Sequence, residues 1–128
     1  MEKLLFVALG GALGSTARYL TYLGAGRVLG PKLPWSGTFT VNVIGGCLMG
    51  LLVGWLAHRG GADQERWRVL IGDGILGGFT TFSAFSLDTA FLIQRREWGV
   101  AAGYATASVV LSVLALFAGL WLARRAFA

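Results

Sequence analysis

The chain has 128 residues, 55% of them apolar and only 13% charged, with a mean hydropathy of +0.67. A water-soluble domain carries roughly a quarter charged residues, so this composition excludes an ordinary soluble fold and places the chain in the membrane class. The formal charge of +5 does not point to nucleic acid: nearly every Lys and Arg lies at the edge of an apolar segment, where headgroup anchoring is the ordinary role, and no basic stripe interleaved with aromatics occurs.

A helix that crosses a bilayer needs about 20 mostly apolar residues, and four segments meet that requirement. The first span is predicted at about Leu4 to Leu23. Lys3 followed by Leu4 to Leu9 has the outline of a secretory signal, but no A-x-A-like site follows and the glycine-rich pattern continues, so a retained helix is expected. Gly26 to Trp35, with Pro31 and Pro34, reads as a loop. The second span is predicted at about Gly37 to Ala57, followed by a polar stretch from His58 to Arg68, and the third at about Val69 to Ile93. A tight turn holds Arg95, Arg96 and Glu97, and the fourth span runs from about Gly99 to Leu122, before Arg124 and Arg125. The fold class expected is all-α, a single four-helix membrane domain over residues 1–128.

Trp35, Trp55, Trp67, Trp98 and Trp121 each fall near a span end, as in an aromatic belt at the headgroups. The basic residues divide almost evenly across the membrane. Lys3, Arg59, Arg66, Arg68, Arg124 and Arg125 make six on one side; Arg27, Lys32, Arg95 and Arg96 make four on the other, or five with Arg18. Orientation follows an imbalance of Lys and Arg. Near balance predicts insertion both ways round and an antiparallel, dual-topology homodimer. Gly46, Gly50 and Gly54 recur every four residues in span two, and Gly10 and Gly14 repeat the interval in span one, a spacing that lets helix backbones approach closely in lipid.

Polar groups inside a membrane are costly and mark function by default. Asn42 lies on one face with Thr38 and Gly46, its amide offering two N–H donors, either to an anion or to a neighbouring helix. Tyr104, Ser108 and Ser112 are four residues apart in span four, a ladder of hydroxyls unless they bond back to their own helix. Gly77-Gly78-Phe79-Thr80-Thr81-Phe82-Ser83-Ala84-Phe85-Ser86 combines two glycines with dense Thr and Ser, which predicts a third helix broken mid-membrane. Such a break frees carbonyls for a cation and N–H groups for an anion. Phe82 and Phe85 share a face and can turn positive ring edges to an anion. Neutral donors without an intramembrane lysine suit a small, strongly hydrated anion. One His (His58), one Cys (Cys47, a packed residue with no disulfide partner) and no ligand or triad spacing argue against an enzyme.

These residues resemble the Fluc (CrcB) fluoride channel family. Gly77 to Ser86 is similar to its signature, G-G-[FL]-T-T-F-S-T-F-S; Gly10-Gly11 to Arg18-Tyr19, Thr38 to Gly46 and Tyr104 with its serines extend the likeness over all four spans. The resemblance implies a passive channel in the cell (inner) membrane that exports cytoplasmic fluoride, built as an antiparallel homodimer with two pores at the subunit interface. It implies Phe82 and Phe85 as an aromatic box, Asn42 as the pore asparagine, Tyr104, Ser108 and Ser112 as a polar track, with Thr38, Thr81 and Ser83 beside them. Arg18 would lend positive potential to a vestibule or snorkel to headgroups. The backbone carbonyls of Gly77 and Thr80 would hold a structural Na⁺ between the subunits. Three positions depart from the pattern: Ala84 replaces a Thr, Asp73 stands where a small neutral residue or Thr is usual, and Asp88 where Glu is common. Asp73 is expected to be hydrated or paired with Arg68 or Arg18. The alternative function is a dual-topology small multidrug exporter, which needs a membrane-embedded carboxylate; span one has none.

Overall fold

The structure, a computed structural model, describes residues 1–127. Four helical segments are long and apolar enough to cross a membrane: Glu2–Leu29, Ser36–Arg59, Gln64–Gln94 and Trp98–Phe127. The first is α1 (Glu2–Leu29) and the second α2 (Ser36–Arg59). The third begins as α3 (Gln64–Trp67), continues as a π-helical stretch (Arg68–Leu76) and ends its first half as one α turn, α4 (Gly77–Phe79); its second half is α5 (Phe82–Gln94). The fourth is α6 (Trp98–Phe127).

The helices run further than hydropathy places them. The loop expected from Gly26 begins only at Gly30, because Gly24 and Gly26 are accommodated within α1, with nothing packed against them. The helix stops where the chain must: Gly30 takes φ +74° immediately before Pro31, whose ring disfavours a helical predecessor. The polar stretch His58 to Arg68 is likewise mostly helical. Only the residues from Gly60 to Asp63 turn, with Gly60 and Gly61 at positive φ. Arg59 bridges that turn to Asp63 with two hydrogen bonds of 2.7 and 2.9 Å, and the Trp67 indole N–H donates to the same carboxylate. The Arg59 guanidinium holds the Asp63 carboxyl down at about 2. At this end Lys3–Glu65 and Arg66–Glu2 tie the start of α1 to α3. Between α5 and α6 the turn is closed by Glu97 N–H donating to Leu92 O at 2.9 Å, with Arg96 at φ 60°.

Glycine decides which helices meet. A Cβ on Gly10 would lie 2.7 Å from Leu70 O, and one on Gly14 2.9 Å from Phe79 N, so α1 runs parallel to the third segment in backbone contact. Gly46 faces Ser112 O, Gly50 faces Leu116 O, and Gly54 meets Ala123, so α2 runs parallel to α6 in the same way. Both glycine stripes are therefore taken up by contacts within the chain, where close approach replaces the absent hydrophobic drive between helices in lipid. The π-helical stretch, with no counterpart in the expected elements, sits where Gly72 and Gly74 are buried against α2 and α1. Gly50→Val is expected to lower stability by about 1–3 kcal/mol through overpacking against Leu116, read as a fall in the thermal unfolding midpoint in detergent.

Two small apolar clusters flank the middle of the bundle: Leu52, Leu56 and Leu76 at one end, Leu92, Ala101 and Tyr104 at the other. Trp35 joins the second cluster. It stacks on Tyr104 at 5.2 Å and meets Phe39 edge-on, so it packs within the protein as well as marking a span end. Trp121 and Trp55 instead carry arginine guanidinium groups over their rings, Arg125 at 4.9 Å and Arg59 at 5.3 Å. The outer faces of α1 and α6 expose Leu5, Leu9, Leu13, Val113 and Phe117, a surface suited to acyl chains.

Candidate functional site

The third segment changes conformation between its two halves. Thr80 (φ −88°, ψ 158°) and Thr81 (φ −153°, ψ 124°) are extended, and helical geometry resumes at Phe82. Asn42, on α2, holds this interruption. Its Nδ2 donates to Thr81 O at 2.9 Å and its Oδ1 accepts from Thr81 N–H at 2.8 Å, so one amide side chain satisfies both polar groups of one residue, as a neighbouring strand would. The Thr81 hydroxyl then caps α5 by accepting from Ala84 N–H at 3.2 Å.

These side-chain bonds have a consequence for the carbonyls. In a continuous helix Thr81 N–H would bond Gly77 O, and Ala84 N–H would bond Thr80 O. Both donors are diverted, the first to Asn42 and the second to the Thr81 side chain. The Gly77 and Thr80 carbonyls thus receive no hydrogen bond among the described residues. Carbonyls left free in this way at a helix interruption, Gly77 in the last helical turn and Thr80 in the extended stretch, are fitting ligands for a hard monovalent cation. No group of three or more His, Cys, Asp or Glu side chains comes together among the described residues, so such an ion would be held by backbone oxygen.

Beside the interruption lies a groove of about 370 Å³ that gathers Asn42, Thr80, Thr81, Phe82, Phe85, Ser108 and Ser112, floored by Gly45 and Gly46 and walled by Met49, Val109 and Leu116. No charged side chain lines it. The rings of Phe82 and Phe85 are 5.6 Å apart and tilted by 48°. Phe82 is 76% exposed, so the groove lacks a wall on that side.

The serines answer the question that spacing left open. Thr16, Thr21, Thr40, Thr80 and Thr89 each donate to the carbonyl four residues back, at 2.7 to 3.0 Å. Ser108 and Ser112 do not: both hydroxyls are buried and neither has a partner. A buried unpaired hydroxyl costs about 1–3 kcal/mol, and its persistence calls for a reason. With the second N–H of Asn42, the groove offers three neutral donors not otherwise engaged.

Other residues singled out in the sequence lie elsewhere. Tyr104 is 3% exposed and sits behind Phe85, ring centroids 5.3 Å apart, with its hydroxyl donating to Asp88 Oδ2 at 3.2 Å. Thr38 is buried and donates to the Tyr22 hydroxyl at 3.3 Å. Arg18 and Ser83 line a second groove of about 420 Å³ with Ser15, Tyr19, Tyr22 and Thr81; Thr81 therefore stands between the two grooves. Gly77 is exposed. Asp73 is exposed too, and forms no ion pair with Arg68 or Arg18. Sequence reasoning missed Tyr22, for which a lone tyrosine in a helix gave no signal, and the role of Asp88 as partner of Tyr104. It also missed Gly45, against which Thr80 packs so closely that no Cβ fits.

Comparison with known proteins gives consistent findings. The family described as "CrcB-like protein, Camphor Resistance (CrcB)" matches residues 5–120. A protein of Caulobacter vibrioides named "Fluoride-specific ion channel FluC" is 62% identical over 128 residues, covering 100% of both chains. Proteins of the same name from Phenylobacterium zucineum and Mesorhizobium japonicum are 61% identical over 128 residues (100% of both chains) and 51% identical over 124 (97% of this chain and 98% of the relative).

Proposed function

The chain belongs to the CrcB family, and on that premise we propose that it is a fluoride-selective passive channel, a multi-pass protein of the cell inner membrane that exports cytoplasmic fluoride. The observation that carries this reading is the groove beside the interrupted helix: an Asn42 N–H and the Ser108 and Ser112 hydroxyls stand unengaged in a lining without charge. A small anion loses much hydration energy on entering a low-dielectric passage. Neutral donors replace part of its water without holding it as a fixed ammonium or guanidinium would, so it enters and leaves. The ring edges of Phe82 and Phe85 add weak positive potential along the same wall. No carboxylate lines this groove to exchange a proton for a drug cation, so nothing in it favours an exporter mechanism.

The working unit of this reading is an antiparallel homodimer, with the helix interruption at mid-membrane. The exposure of Phe82 and the missing wall of the groove support a second subunit there. The near-even division of basic residues supports insertion in both orientations. The free carbonyls of Gly77 and Thr80, presented by each of two subunits, fit a central Na⁺. When bound, that ion supplies a positive charge that holds the two interrupted segments together. Asn42 and Thr81 do the rest from this chain, keeping the N–H groups turned away from those carbonyls. Arg18, Ser83 and Thr81 line the second groove, which forms the approach to the first.

Efflux from liposomes tests the function directly. Vesicles carrying the protein and loaded with fluoride are expected to empty once the membrane potential is clamped, while chloride-loaded vesicles retain their content over the same interval. Equal loss of the two anions would overturn selectivity.

A further inference from the structure

Well inside the spans, away from the helix ends, the described chain carries three side chains of the Asp, Glu, Lys or Arg type: Arg18, Asp73 and Asp88. Asp88 accepts the Tyr104 hydroxyl. Arg18, half-buried, and Asp73, exposed, have neither an ion pair nor a hydrogen bond among the described residues. Two unpaired charges of opposite sign at membrane depth are each costly, and such residues almost always pair.

They cannot pair within one chain. Gly74, beside Asp73, touches the backbone of Phe6 and Gly10 on α1. Arg18 lies eight residues beyond Gly10 along the same helix, about 12 Å further on at 1.5 Å per residue. It lines a groove with Ser83, Ala84 and Leu87, which follow the interruption, whereas Asp73 precedes it. Gly14 abuts Phe79, so the interruption lies at a level between the two charges. Inverting a second copy about that level carries its Arg18 to the depth of Asp73, and its Asp73 to the depth of Arg18. A parallel copy leaves both charges unmatched. Asp73 is exposed, as is Gly77 four residues further on, and the Thr81 N–H that would bond the Gly77 carbonyl in a continuous helix goes to Asn42 instead.

We propose that Asp73 of each subunit forms an ion pair with Arg18 of an inverted second copy, and that the two reciprocal pairs select the antiparallel arrangement over the parallel one. The inference rests on the dimer reading given above and deepens it. It also answers how an acid tolerates the neighbourhood of an anion path: its charge is spent on the partner's guanidinium, which the same bond holds at the groove.

Two experiments decide it. With Cys47→Ala as background, Asp73→Cys and Arg18→Cys subunits expressed together are expected to yield a covalent dimer with a short bis-maleimide, while either cysteine alone yields none, because equal positions lie on opposite sides of the interruption. Asp73→Cys linking to itself would overturn the proposal. In the charge exchange, Asp73→Arg and Arg18→Asp are each expected to raise the dimer dissociation constant about tenfold or more, and the double variant to return it to within roughly threefold of the unsubstituted protein. A double variant no tighter than the weaker single one, in a protein that still dimerises antiparallel and passes fluoride, would overturn the ion pair alone. A parallel or monomeric unsubstituted protein would overturn the dimer reading and the pair with it.

Discussion

Asn42→Asp is expected to lower fluoride efflux by about a thousandfold. The amide does two things that a carboxylate cannot. Its Nδ2 donates to Thr81 O, and its remaining N–H faces the groove. Aspartate loses both donors and places an anion beside the path of another. At a separation of about 4 Å and an effective dielectric of about 20, that repulsion is about 4 kcal/mol, which corresponds to about three decades in occupancy at 1.4 kcal/mol each. Asn42→Ala separates the two roles. It removes the clamp and leaves the Thr81 N–H and C=O unpaired at about 1–3 kcal/mol each, so the unfolding midpoint falls, but it adds no charge. Its efflux is expected to fall about 10- to 100-fold, less than for the aspartate. Electrode recordings of liposome efflux, paired with thermal unfolding in detergent, give both quantities. Wild-type efflux from Asn42→Asp would remove the asparagine from the path.

The serine ladder makes a prediction of opposite signs. Ser108→Ala and Ser112→Ala each delete a buried hydroxyl without a partner. Stability is expected to rise, by about 1 kcal/mol for each, because a desolvated and unpaired polar group disappears with little loss of volume. Efflux is expected to fall about tenfold for each, because a donor to the dehydrated anion disappears with it, at about 1.4 kcal/mol per decade. A residue kept only for packing would lose stability on truncation and leave efflux alone. Thr16→Ala is the control: that hydroxyl is exposed, already bonds Ala12 O, and its loss is expected to change neither quantity appreciably. Alanine variants that lose stability and conduct normally would return Ser108 and Ser112 to structural roles. Such a trade of stability for function is common where a site must keep polar groups ready.

Much of this was legible locally. The four spans follow from apolar windows, although two reach beyond them: α1 continues to Leu29, through Gly24 and Gly26 up to the stop imposed by Pro31, and α6 continues to Phe127. The density of glycine, Thr and Ser from Gly77 to Ser86 marks the third segment as irregular, and its extended residues, Thr80 and Thr81, lie within that run. Stripe positions were legible too, since Tyr104, Ser108 and Ser112 must share a helix face. Their separate fates were not: Tyr104 turns to Asp88 and the serines stay unpaired.

The distinction has one physical origin. Hydropathy, helix periodicity, turn residues and charge balance are properties of windows of about 20 residues, and those by themselves determined that the chain is an all-helical membrane protein with a polar seam through its middle. Only the tertiary structure decided that Asn42 grips Thr81 from 39 positions away, that the glycine stripes pack within the chain, and which donors remain free. Whether a polar group is engaged depends on what packs against it from elsewhere in the chain, and that is fixed by the close approach of helix backbones rather than by the order of residues along any one of them.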